Sequence, residues 1–281
     1  MNAFKSAPTA PMSTPDAQAY ADHVEALSRA TPAQPAVRAA YGSLPGQQFE
    51  VYEPEQTNGA PVLVFLHGGA WTHGGLEWLR FMAPTVLSMP AVLVAVTYRL
   101  APQHRWPAAF EDTCAALAAI YELVQQRGYD SRRIVVAGHS AGGHLAALAT
   151  LRGDFPWIHA CFPVSSRYDL HTSEPAPGSG EERVYKLVLA DPAQDAEASP
   201  LRFVRGNTIP FHIIWGENDF PRIRTTSQAM VDALQKEGCS VTHAVVPAAG
   251  HFDTHLSLQR PDDPWYARLK REFAPKEIDP C

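Results

Sequence analysis

Eight short β-rich runs, separated by stretches with helical periodicity, limit the folds open to this chain more than any other sequence feature. From the third run onward the segments are nearly continuous in apolar residues, as in strands buried on both faces of a parallel sheet. Between the runs, apolar residues recur three or four positions apart, most clearly over residues 110–124, and Gly128 follows as a helix stop. Strands alternating with helices predict right-handed crossovers and an open α/β sheet. The candidate strands span residues 37–41, 49–52, 62–66, 92–97, 134–137, 159–164, 210–215 and 241–246.

Two segments fall outside this alternation. Residues 1–36 are rich in Ala, Pro, Ser and Thr, and they predict an N-terminal arm with one helix over residues 16–29. Residues 37–281 are then expected to form a single α/β domain. Within it, residues 166–200 carry a Pro- and Gly-rich stretch and a short helical pattern near residues 181–189. We expect this segment to be a cap-like insertion over the carboxyl edge of the sheet.

Composition excludes several classes of function. The formal net charge is −6 and only 19% of residues are charged, which argues against nucleic-acid binding and against a basic membrane-surface protein. No run approaches the ~18 apolar residues of a membrane span, and the N-terminus lacks the apolar run of a signal peptide. The cysteines form no C-x-x-C pair, so neither a zinc ribbon nor a redox dithiol is predicted. We expect no metal and no other cofactor. We expect a cytoplasmic protein that acts on a small molecule, with a homodimer left open.

A G-x-S-x-G motif at residues 138–142 is the strongest chemical signal in the chain. It directly follows a predicted strand and precedes a Gly- and Ala-rich helical run, which is the setting that a nucleophile elbow requires. Small neighbours allow the tight turn, and the N-terminus of the helix favours developing negative charge. The motif predicts Ser140 as a nucleophile. The alternative is a chance match in a Gly- and Ala-rich helix start.

A second motif, HGGAW, follows the third strand. Two adjacent glycines, Gly68 and Gly69, expose backbone N–H groups that could form an oxyanion hole together with the amide of Ala141. An ordinary Gly-rich turn is the alternative. The two motifs in this order, each after a buried strand, are more specific than either alone.

A serine hydroxyl needs a base to take its proton, and the base needs a carboxylate to orient it. His251 follows the last strand and Asp219 follows the seventh. The order Ser140, Asp219, His251 is the nucleophile–acid–base order of this architecture, and all three follow strand ends. Glu217 and Asp253 are alternative acids, expected instead to serve the turn and the local scaffold. Two other histidines, His139 and His144, flank the elbow and are expected to be packing or surface residues. His67, the first residue of HGGAW, is expected to be a structural hydrogen-bonding residue.

The segments HGGAW, YRLAP and GHSAGG resemble those of hormone-sensitive-lipase-like esterases in the α/β-hydrolase superfamily. The segments YDL, ASPL, GEND and GHFD look more like the kynurenine formamidase (arylformamidase) branch. The resemblance implies an α/β-hydrolase fold with an eight-stranded, mostly parallel sheet, helices on both faces and a small cap. It also implies Ser140, Asp219 and His251 as catalytic residues. Ala70 and His139 stand where the esterases usually carry a third glycine and an acidic residue, and both fit the formamidase branch better.

Three functions are consistent with these residues. The first is a carboxylesterase that cleaves small esters through an acyl-enzyme, without a cofactor. The second is an arylformamidase-type amide hydrolase acting on N-formyl aryl amines such as N-formylkynurenine. The third is a non-catalytic small-molecule receptor on the same fold. For the substrate pocket we expect aromatic walls from Trp71, Phe162 and Phe220, although each could instead be a core residue.

Overall fold

The predicted alternation of strands and helices forms one eight-stranded sheet in the computed structural model, which describes residue 12 and residues 14–274. Parts of the predicted arm and C-terminus, residues 1–11, 13 and 275–281, lie outside the described residues. The strands are β1 (Val37–Ala40), β2 (Gln48–Tyr52), β3 (Val62–Leu66), β4 (Val92–Val96), β5 (Ile134–His139), β6 (Ile158–Val164), β7 (Phe211–Gly216) and β8 (Val241–Val246).

The sheet is mostly parallel, as the sequence predicts. Its strand order is β1-β2-β4-β3-β5-β6-β7-β8, and only the pairs β1–β2 and β2–β4 are antiparallel. The carboxyl ends of the six parallel strands therefore meet along one edge. The helices are α1 (Pro15–Ala30), α2 (Ala83–Ser88), α3 (Ala108–Arg127), α4 (Ala141–Arg152), α5 (Gly180–Arg183), α6 (Pro221–Lys236), α7 (Asp253–Leu256) and α8 (Pro264–Phe273).

Helices cover both faces because the central strands are apolar at every position. In β3, Val64 packs in one core with α3, α4 and α6, whereas its neighbour Phe65 packs in a second core with α1, α2 and α8. This alternation follows from the two-residue period of a strand. None of the helices in the described part of the chain has the length and hydropathy that a membrane span needs.

The two segments outside the alternation also carry helices. Helix α1 begins where Thr14 caps it by accepting a hydrogen bond from the backbone N–H of Ala17 at 3.2 Å, and its Tyr20 and Val24 are buried in the second core. The short helix predicted near residues 181–189 is one α-helical turn, α5, which continues as a π-helical turn over Val184–Val188.

Candidate active site

Ser140 lies in a tight turn between β5 and α4. Its backbone adopts φ +53° and ψ −115°, a region that residues other than glycine rarely occupy. The turn is held because Ser140 N–H donates a hydrogen bond to the Val164 carbonyl at 2.9 Å. A Cβ at Gly142 would lie 2.2 Å from the Leu66 carbonyl oxygen, so the helix can approach the sheet only with glycine there. Backbone strain of this kind persists where surrounding structure enforces it, commonly at functional sites.

The structure brings the three predicted catalytic side chains together. His251 Nε2 lies 3.0 Å from Ser140 Oγ, and His251 Nδ1 lies 2.8 Å from Asp219 Oδ1. More than a hundred positions separate the serine from the histidine, but all three residues follow carboxyl ends of parallel strands. The resulting chain of hydrogen bonds runs from hydroxyl to imidazole to carboxylate.

Asp219 is ionised in this arrangement. Burial works against the charge, but hydrogen bonds from His251 and from the Phe220 backbone N–H outweigh it and hold the pKa of Asp219 below its ordinary value. An ionised carboxylate can only accept, so the His251 proton sits on Nδ1 and donates to Asp219. His251 Nε2 is then left to accept the hydroxyl proton of Ser140.

The two alternative acids have local partners. Glu217 accepts a hydrogen bond from the Ala248 backbone N–H at 2.8 Å, and Asp253 accepts one from Gly250 N–H at 2.7 Å. Each carboxylate therefore holds a loop, in agreement with the predicted turn and scaffold roles.

The HGGAW turn lies directly beside the serine. Gly69 has φ +110°, and its carbonyl accepts hydrogen bonds from the N–H groups of Thr72 and His73. The Cβ that Gly68 lacks would lie 3.4 Å from Ser140 Cβ. His67 holds the turn, as predicted: its Nδ1–H donates to the Gly68 carbonyl at 2.6 Å, and burial lowers its pKa to about 4, which keeps it neutral.

A cavity of about 520 Å³ opens above Ser140, and His251, Gly69 and Ala141 also line it. Two of the three predicted aromatic walls, Trp71 and Phe220, line this cavity too.

The expectation for Phe162 is wrong. Phe162 is fully buried on β6, where it packs against His212 and Trp265 in the second core. The two-residue period of β6 points it toward α8, away from the cavity.

A buried group of polar rings lies behind the triad, and the sequence reasoning missed it. The His139 Nε2–H donates to the His251 carbonyl at 3.0 Å, and the His139 ring stacks on His255 with centroids 4.9 Å apart. The Tyr20 hydroxyl from α1 lies 2.7 Å from His255 Nδ1. Burial, together with His251 and His255, lowers the pKa of His139 well below its usual range, and the pKa of His255 falls to about 3. Both rings are therefore neutral packing residues.

Several other cavity residues also escaped prediction. Arg167 follows the end of β6, a position that the strand-end rule could have indicated. Tyr20, Arg183 and Arg222 line the cavity from helices whose docking no local pattern specifies. Within the described ranges, no three His, Cys, Asp or Glu side chains are grouped in a way that could hold a metal ion.

Comparison with known proteins agrees with this geometry. The sequence profile of the alpha/beta hydrolase fold matches residues 63–254, which is more than half of the chain. The chain therefore belongs to the α/β-hydrolase family. Its fold is shared with the crystal structure of EstE1, a carboxylesterase cloned from a metagenomic library, at a TM-score of 0.78 and 21% identity, covering 94% of this chain and 99% of that one.

Both branches expected from the sequence occur among the relatives. Esterase LipC of Mycobacterium tuberculosis is 33% identical over 239 residues, which cover 77% of this chain and 59% of the esterase. Kynurenine formamidase of Salmo salar is 29% identical over 250 residues, covering 82% of this chain and 81% of the formamidase. The chain thus spans little more than half the length of the mycobacterial relatives LipC and LipQ that it matches.

Proposed function

We propose that this chain is a carboxylesterase that uses Ser140 as its nucleophile. The observation that carries the proposal is the hydrogen-bonded chain Ser140–His251–Asp219 at the base of the cavity. The esterases among its relatives support the same activity.

The first half of the reaction follows from the hydrogen bonds. Ser140 Oγ attacks the ester carbonyl carbon while its proton passes to His251 Nε2. The charged imidazole is stabilised by Asp219. The carbonyl oxygen becomes an oxyanion, which accepts hydrogen bonds from the amides of Gly69 and Ala141, with Gly68 beside them. The adjacent N-terminus of α4 favours the same negative charge.

The second half restores the enzyme. When the ester C–O bond breaks, His251 gives its proton to the leaving alkoxide, and the acyl group remains on Ser140. Water then attacks the acyl carbon and passes a proton to His251. The acid leaves, and the proton returns to the serine oxygen. No step needs a metal or another cofactor.

Replacing the nucleophile tests this mechanism. We expect Ser140→Ala to lower kcat for p-nitrophenyl acetate by about 10⁶ and to abolish labelling by a fluorophosphonate probe. Ser240 is an exposed serine directly before β8, and Ser240→Ala is the matched control that should keep full activity. Hydrolysis by Ser140→Ala at near the unmodified rate would disprove the mechanism.

An arylformamidase activity is the second candidate. It is supported by the match over most of the length of the kynurenine formamidase and by Ala70 and His139 in the two motifs. An ester and an N-formyl amide pass through the same tetrahedral geometry, so the triad serves both. The ratio of kcat/KM for a phenyl ester and for N-formylkynurenine separates the two functions.

A non-catalytic receptor is the third candidate, and the complete triad argues against it because a receptor needs no activated serine. Absence of fluorophosphonate labelling would favour the receptor.

We also propose that α1 and residues 166–200 together form the cap, since residues from both segments line the cavity. Substituting a cap residue that lines the cavity, as in Leu187→Ala, should change substrate preference more than it changes probe labelling.

A further inference from the structure

Three arginines line the cavity beyond the triad. Arg167 follows β6, Arg183 lies at the end of α5, and Arg222 lies at the start of α6. Glu181 is the acidic cavity residue beside them. We call these three arginines the arginine side of the cavity. They concentrate positive charge in a chain whose formal net charge is −6.

Two of these arginines have carboxylate partners. Arg167 pairs with Glu181 at 3.0 Å, and Arg222 lies 3.9 Å from Asp169. Arg222 also donates hydrogen bonds to the carbonyl oxygens of Asp169 and His171. The charges of Arg167 and Arg222 are therefore largely balanced by the protein.

Arg183 has no such balance. Among residues 12 and 14–274, no carboxylate or carbonyl pairs with its guanidinium, although the side chain is half-buried in the cavity wall. The neighbouring acidic residue, Glu182, is paired with Lys186 instead. The arginine side thus holds one positive charge that the described chain does not neutralise.

Arg167 leaves donors available in the same wall. A guanidinium carries five N–H donors, and within the described part of the chain Arg167 donates only to Glu181. Burial lowers the pKa of Arg167, Glu181 opposes this shift, and Arg222 adds to it. A bound anion would offset the burial cost and supply acceptors for the free donors.

The structure assigns a carboxylate subsite to the arginine side: the substrate of this hydrolase carries one carboxylate, which pairs with Arg183. This assignment rests on the proposed hydrolase function. One unbalanced charge matches a monoanion. The apolar wall beside it, formed by Val184, Leu187 and Val188, fits the hydrocarbon part of such a substrate.

The carboxylate could be on the acyl group or on the leaving group, and two ester pairs distinguish these positions. Mono-p-nitrophenyl glutarate and p-nitrophenyl valerate differ in the charge of the acyl group. In the second pair, 4-acetoxybenzoate and methyl 4-acetoxybenzoate differ in the charge of the leaving group. Each kcat/KM is divided by the rate of hydroxide hydrolysis of the same ester, so that intrinsic reactivity cancels.

We expect the unmodified enzyme to prefer the anionic ester in one of the two pairs. Arg183→Gln should lower kcat/KM for that anionic ester about tenfold or more, the size of a lost charge-assisted hydrogen bond, and change the neutral ester by less than about twofold. Arg183→Lys should keep part of the preference. Arg224→Gln, which removes the same charge from an exposed residue of α6 outside the cavity wall, should leave both esters unchanged.

Three outcomes would overturn the subsite. They are the absence of an anionic preference in both pairs, a preference that survives in Arg183→Gln, and an equal loss on neutral and anionic esters in that variant. The neutral ester also reports whether the variant folds. If the unmodified chain hydrolyses no ester and takes no fluorophosphonate label, the proposed function fails and the subsite that rests on it is overturned with it; labelling without an anionic preference overturns the subsite alone.

Discussion

The triad side of the cavity, formed by Ser140, Asp219 and His251, and the arginine side are organised in opposite ways. On the triad side the Ser140 hydroxyl, the His251 imidazole and the Asp219 carboxylate are hydrogen-bonded to one another, and Asp219 and His251 are 2% and 8% exposed. The arginine side is more open, with the Arg222 side chain 32% exposed, and Arg183 has no carboxylate partner in the described chain. The triad residues are hydrogen-bonded to one another without a substrate, whereas Arg183 gains a carboxylate partner only from the substrate.

The difference reflects the elements that carry each side. The triad residues follow the ends of β5, β7 and β8, which the hydrogen bonds of the sheet hold in register. Arg183 belongs to a four-residue helix that runs into a π-helical turn, in a segment without strands. Reaction chemistry on a rigid scaffold and substrate selection on irregular segments is a common division. Changes on the triad side should therefore affect all substrates equally.

The largest effect after loss of the nucleophile is expected at Asp219. Asp219→Asn keeps the shape of the side chain but removes the charge that orients and stabilises His251. We expect kcat for every ester, neutral or anionic, to fall by about 10⁴. Steady-state rates on both ester pairs measure the loss. Glu217→Gln, two residues away in the same loop, should stay within a few-fold, and a loss below tenfold in Asp219→Asn would contradict the assigned acid.

Ser140 and its partners could be predicted because their signals are local or follow one topological rule. The elbow is encoded in five consecutive residues, and parallel strands place Asp219 and His251 at the same edge. The prediction for Phe162 was wrong because both faces of β6 are apolar. The sequence then does not show toward which face of the sheet a given side chain points. Arg183 was missed because no periodicity fixes how the segment 166–200 folds over the edge of the sheet.

The oxyanion turn should give the next largest effect. Gly69 has φ +110°, and a Cβ there would lie 2.2 Å from the His73 carbonyl oxygen. Gly69→Ala must therefore shift the turn and its N–H groups, and we expect a loss of about 10²–10³ in kcat on neutral and anionic esters alike.

Gly59→Ala is the matched control for Gly69→Ala. Gly59 has φ +71°, but no atom lies within 4 Å of the added Cβ. Because alanine disfavours positive φ, Gly59→Ala should lower stability by about 1–2 kcal/mol, as at Gly69, but at a site far from the turn. Full activity in Gly59→Ala and a large loss in Gly69→Ala would locate the effect in the turn. Equal activities in the two variants would remove Gly69 from the oxyanion hole.

Two buried, neutral histidines near the triad, His67 and His255, predict that the fold loses stability in acid. Burial lowers the pKa of His67 to about 4 and that of His255 to about 3, below the value of about 6.5 in the unfolded chain. Between those values the unfolded chain binds more protons, so the stability that these histidines contribute is complete above pH 6.5 and decreases as the pH falls. Each of these two histidines should lower the free energy of unfolding by about 1.4 kcal/mol for every pH unit below 6.5. Urea unfolding at pH 7, 6 and 5 measures the slope, and a constant free energy of unfolding over this range would contradict it.

The smallest predicted effect concerns helix α1. It tests whether α1 supports the triad side or helps the arginine side to select the substrate. Tyr20 lines the cavity, but its hydroxyl bonds His255 and its ring stacks on Phe252 with centroids 4.6 Å apart. Tyr20→Phe leaves His255 without a partner and should lower the free energy of unfolding by about 1 kcal/mol, with little change in ester preference. Tyr20→Phe combined with His255→Phe replaces both polar partners and should recover much of that loss. If Tyr20→Phe instead changed the ratio of anionic to neutral ester hydrolysis, α1 would belong with the arginine side in selecting the substrate.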